Sequence, residues 1–101
     1  GELHHIASNK SVKSGFTEAY KKIFEKAGMT LNDAANKVFL KGHKGAHTKE
    51  YKQYVLDKLS ELTKGLTGDD YKKGLLKALD DIREKLLNNP RFPYKKRNKM
   101  R

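Results

Sequence analysis

Glu2-Leu3-His4-His5-Ile6 opens the chain with two adjacent histidines set between apolar residues. Neighbouring residues on an extended segment point to opposite faces. If residues 2–7 form a short strand, His4 and His5 are not expected to ligate the same ion. One can face a metal while the other faces a substrate. The chain has four histidines, and the other two, His43 and His47, are spaced H-x-x-x-H with Asn36 shortly before them. Residues four apart on a helix share a face, so His43 and His47 chelate one ion together if a helix begins near His43. Gly42 and Gly45 weaken that start, and the alternative is a pair that straddles a loop and the first turn.

Working outward, residues 8–13 are polar and read as a loop. A helix follows over about 15–27, where Phe16, Tyr20, Ile23, Phe24 and Ala27 make one apolar stripe. Ser14 is its candidate N-cap and Gly28 its stop, because glycine tolerates the left-handed conformation there. Asn32 and Asp33 mark a turn. Residues 36–40, Asn-Lys-Val-Phe-Leu, read as a second short strand. A basic, glycine-punctuated connection leads to a second helix, from about 46 or 48 to 62, burying Tyr51, Val55, Leu59 and Leu62. The third helix, about 69–87, has the clearest pattern, with Tyr71, Leu75, Ala78, Leu79, Ile82 and Leu86 on one face. Thr67 is its N-cap candidate, with Asp70 as a capping-box-like partner. Asn88-Asn89-Pro90 ends it. The expected fold class is α+β and mostly helical: two short strands with a helix inserted between them, then two more helices. A domain is expected over residues 1–89 and a basic tail over 90–101, where Arg91, Lys95, Lys96, Arg97, Lys99 and Arg101 face no acid.

With 101 residues the core must be modest. Hydrophobic residues make up 36% and charged residues 35%, but the apolar positions are periodic, which argues against disorder. There is no cysteine, so disulfides and thiolate metal sites are excluded. No apolar run is long enough to span a membrane, and no stretch of these residues reads as a signal peptide. The first residue is Gly and patterned sequence starts at once, so a domain excised from a longer protein is expected. The net charge of +11 points to a polyanionic partner, since clustered cations gain affinity by releasing counterions from nucleic acid.

Each histidine alone is an ordinary surface or packed residue. Together, three imidazoles with open positions describe a catalytic rather than a closed structural metal site. They suit zinc or nickel better than magnesium. A spare imidazole with a pKa near 6.5 takes a proton from water at neutral pH. On a basic domain, this set suggests phosphodiester hydrolysis. Lys10, Lys13, Lys37, Lys41, Lys44 and Lys49 flank it in sequence and are candidate phosphate contacts, which position a nucleic acid without reading it. No motif for base readout is present.

These residues carry a resemblance. His4-His5-Ile6, Asn36-Lys37-Val38-Phe39-Leu40 and His43-x-x-x-His47 followed by Tyr51 resemble the HNH/endonuclease VII superfamily, the ββα-metal or His-Me finger nucleases. Within it, the chain is most similar to the AHH-type toxin nucleases, over residues 2 to about 55. Glu2-Leu3-His4-His5 also resembles the active-site segment of the nuclease colicins. The resemblance implies one divalent ion (zinc favoured, with nickel and magnesium as alternatives) held by His4, His43 and His47. It implies His5 as the general base, Asn36 as the residue fixing the loop around that base, and Glu2 as a supporting acid. The family motif is two antiparallel strands and a helix. This chain departs from it by inserting a helix between the strands, which leaves Asn32 as the fallback for Asn36. The resemblance further implies a DNase with little sequence preference, RNase action being a variant. It implies a toxin domain secreted within a larger bacterial effector, acting in the target-cell cytoplasm and opposed by an acidic immunity protein. The competing expectation is a non-catalytic nucleic-acid-binding module.

Overall fold

The strongest periodic run forms the floor of the molecule. In the computed structural model, which describes residues 2–40 and 47–92, that run is the third helix, α3, Gly68–Asn88. It buries Tyr71, Leu75, Ala78, Leu79, Ile82 and Leu86, as its apolar stripe requires. The second helix, α2, Lys49–Thr63, lays Tyr51, Val55, Leu59 and Thr63 against the same core. The two helices approach closely at Gly74, where a Cβ would overlap the Leu62 carbonyl oxygen. Gly74→Ala must push the helices apart, so a loss of about 3 kcal/mol is expected, measured as a lower urea midpoint.

The first helix, α1, Phe16–Glu25, lies in sequence between the two strands and buries Phe16, Thr17, Tyr20 and Phe24. Its end is as expected. Gly28 has φ 70°, its N–H donates to Glu25 O, and the Met29 N–H donates to Phe24 O, which is a Schellman stop. Its start differs. The N-cap is Gly15, at φ 84° and with no side-chain cap, because the Ser14 hydroxyl is turned back onto Ser11 O. Thr17 ties this loop instead. Its Oγ1 accepts from Ser11 N at 2.7 Å and donates to Ser8 O at 2.8 Å.

Strand β1 is Glu2–His5 and strand β2 is Lys37–Leu40. They pair antiparallel, with Glu2 opposite Leu40, Leu3 opposite Phe39, His4 opposite Val38 and His5 opposite Lys37. Both strands are shorter than expected. Ile6 and Ala7 leave the strand and enter the core. Asn36 is not a strand residue but closes a 3-10 turn, Ala34–Asn36, because Asp33 Oδ2 accepts from Thr30 N and organises a local turn. Helix α2 starts at Lys49 on a Thr48 cap, whose Oγ1 accepts from Tyr51 N at 3.0 Å. Helix α3 follows Thr67, but that cap makes no side-chain bond, so the capping box expected with Asp70 is absent.

The architecture is the expected α+β one, mostly helical, with one two-stranded antiparallel sheet and three helices. Tyrosines strap its parts together: the Tyr20 hydroxyl donates to Lys52 O, Tyr51 to Ile6 O and Tyr71 to Ile23 O. Arg83 donates to Ala35 O and Lys37 O and pairs with Asp80, fastening the start of β2 to α3. Phe92, beyond the boundary drawn at residue 89, packs edge-on against Tyr51 and Tyr54. No described helix is long and apolar enough to cross a membrane.

Candidate active site

The sheet separates the two histidines of the doublet. Val38 and Leu40 point into the core, so residues opposite them share that inner face and alternate residues take the outer one. His4, opposite Val38, faces inward; His5, opposite Lys37, lies on the other side. Both still border one cavity of about 370 Å³. His47 reaches the same cavity from the residue before the Thr48 cap of α2, and Glu2, Lys10 and Lys52 also line it. Three of the four histidines therefore converge.

The helical H-x-x-x-H reading fails. Helix α2 begins at Lys49, so His47 precedes it and owes its position to other contacts. The Tyr51 ring meets the His47 ring edge-on, at 4.7 Å between centroids and 69° between planes. The Tyr51 hydroxyl donates to Ile6 O at 2.9 Å. One buried side chain thus fixes both His47 and the end of the strand that carries His4 and His5. His43, Lys41 and Lys44 lie outside the described residues. Among the described residues no group of three or more His, Cys, Asp or Glu comes together as a metal cage.

Burial, and then the positive surroundings of His4, Lys52 and His5, push the His47 pKa down to about 4. Burial, and then Lys37 and Lys10, lower that of His5. Both imidazoles are therefore neutral at pH 7, the form that binds a cation or accepts a proton. The Nε2 atom of His5 is buried with no hydrogen-bond partner, and Nε2 of His4 is buried as well. An imidazole nitrogen held dry and without a partner is costly unless something else occupies it.

Asn36 is fully buried and does not line the cavity. Its Nδ2 donates to Ala7 O at 3.0 Å and Leu31 O at 2.8 Å, and its Oδ1 accepts from Ala7 N at 2.8 Å. It clamps the chain two residues beyond His5. Asn32, the alternative, is exposed. Of the flanking lysines, Lys10 lines the cavity and Lys37 stands across from His5, whereas Lys13 and Lys49 are exposed and do not line it. Lys52 was missed. It lies one helical turn after Thr48, so the position of His47 beside that cap was the available clue.

The model of a nuclease family of the HNH/ENDO VII superfamily with conserved AHH matches residues 1–86. The histidine doublet here is preceded by Leu3 rather than Ala. No curated protein and no solved structure matches the chain.

Proposed function

The chain belongs to the AHH nuclease family of the HNH/ENDO VII superfamily, and from that premise we propose that it is a metal-dependent endonuclease that cuts DNA with little sequence preference. The observation that carries this reading is the meeting of His4, His5 and His47 on one basic cavity. The donors fit a cation. His47 is neutral well below pH 7 and His4 presents a buried Nε2 atom. His4 and His47, with His43 from the preceding segment, are the residues that would hold it. Imidazole donors favour zinc or nickel over magnesium. Bound there, the ion supplies charge neutralisation at a phosphate oxygen and stabilises the leaving oxygen.

The rest belongs to the chain. His5 takes the proton of the attacking water at Nε2, the atom with no other partner. Lys10, Lys37 and Lys52 hold the phosphates around it, and Glu2, on the rim, supports the histidines. Tyr51 and Asn36 keep the two histidine-bearing segments in register. We read the domain as the toxin part of a secreted bacterial effector acting in the cytoplasm of a target cell. The net charge of +11 supports both a nucleic-acid substrate and an acidic immunity protein as its natural antagonist.

Supercoiled plasmid and a structured RNA, each incubated with the protein across several divalent ions, test the activity. Plasmid nicking is expected, abolished by chelator and restored by zinc or nickel. Cleavage of RNA alone overturns the DNA assignment. Retardation of DNA in a gel without nicking under any ion overturns the catalytic one.

A further inference from the structure

The outer face of the β1–β2 hairpin carries an apolar pair that the core does not use. Leu3 is 61% exposed and Phe39 58%, and the strand register places them directly opposite one another. The next pair on that face is His5 opposite Lys37. Single exposed apolar residues are common on any surface and need no explanation. This pair differs in its position, since it lies one same-face step from the histidine and lysine of the candidate site. Phe39 and Lys37 are two residues apart along β2, roughly 6.7 Å, about the reach from a phosphate to its own base.

We propose that Leu3 and Phe39 form a stacking platform for an unpaired nucleobase beside the phosphate held at Lys37 and His5. This rests on the nuclease reading above and adds to it a substrate preference for single-stranded or frayed nucleic acid over intact duplex. The chemistry is that of other single-strand binders: a cationic track for the backbone and an aromatic face for the bases. The +11 charge supplies the complementarity to such an occupant. Within a duplex both faces of every base are already covered by its neighbours, so an intact helix offers the platform nothing to stack. Every base has a π-face, so the platform selects strand state and not sequence.

The chain contains no tryptophan, so F39W places a single fluorescent reporter on this face. The titration is run in excess chelator, with a single-stranded oligonucleotide, a hairpin whose paired stem is closed by a non-nucleotide linker, and inorganic polyphosphate. The expected result is strong quenching by the single strand and little by the hairpin or polyphosphate. Phe39→Ser should weaken single-strand binding about tenfold or more and leave hairpin binding within about twofold. Equal quenching by all three, no quenching, or quenching that grows with protein concentration alone (a second copy covering the face) overturns the platform. Because no cleavage is needed, the two ideas fail separately. Quenching by the single strand without plasmid nicking overturns the catalytic reading and leaves the platform standing. Nicking without quenching does the reverse.

Discussion

His5→Ala is expected to lose about 10² to 10⁴-fold in cleavage rate while keeping its fold and its bound cation. His4 shares the inner face with Val38 and Leu40, and His5 is turned away from it. The cation is assigned to His4 and His47 and not to His5, so truncating His5 should leave the cation site as it was. The buried Nε2 of His5 has no hydrogen-bond partner to lose. Urea midpoint and cation affinity should therefore match the parent. The lowered pKa of His5 sets a second expectation. A general base must be unprotonated, so the acid limb of the parent's pH–rate profile should fall below the ordinary histidine value of about 6.5. A bound cation pushes in the same direction. His47→Ala is the contrast, with cation affinity itself falling. If His5→Ala nicks plasmid as fast as the parent, His5 is not the base.

What the sequence revealed of this arrangement followed the range over which each signal acts. Helices α1, α2 and α3 were legible because an apolar stripe is a local property, and α3 repeats it over six buried positions. Gly28 was legible because a left-handed stop needs a glycine whatever lies around it. Ser14 and Asn36 were misread because their hydrogen bonds go elsewhere: Ser14 to Ser11, and Asn36 across to Ala7 and Leu31. Propensity placed Asn36 at the head of a strand. Two long-range bonds to Ala7 hold it in a 3-10 turn instead. At the site, the histidine doublet could be divided between two faces in advance, since that needs only the period of a strand. The convergence of His47 on it could be guessed from residue type alone. The means of convergence could not, because it is one tertiary contact, the Tyr51 ring on His47 with its hydroxyl on Ile6. Lys52 escaped for the same reason.

Asn36→Ala should cost roughly 3 to 5 kcal/mol of stability, against a rate effect that nearly disappears once corrected for the folded fraction. One buried side chain satisfies three backbone groups, the N–H and C=O of Ala7 and the C=O of Leu31. Truncation strands all three in a dry site, and each unsatisfied buried polar group costs about 1–3 kcal/mol. For a small domain with a total stability of about 5–15 kcal/mol, that is a large fraction of what holds it folded. Asn36→Asp is the sharper variant. It keeps the acceptor for Ala7 N but replaces both donors with oxygen facing carbonyl oxygen, and it buries a carboxylate. It should be no better than alanine, although it is the same size. Asn36 touches neither the cavity nor the reacting atoms, so its influence on His5 runs through the placement of Ala7. The signature is therefore the inverse of His5→Ala: a collapsed urea midpoint with a near-parental rate per folded molecule, measured at low temperature. A parental midpoint with a lost rate would instead place Asn36 among the groups that act on the substrate, and the clamp described here would have to be abandoned.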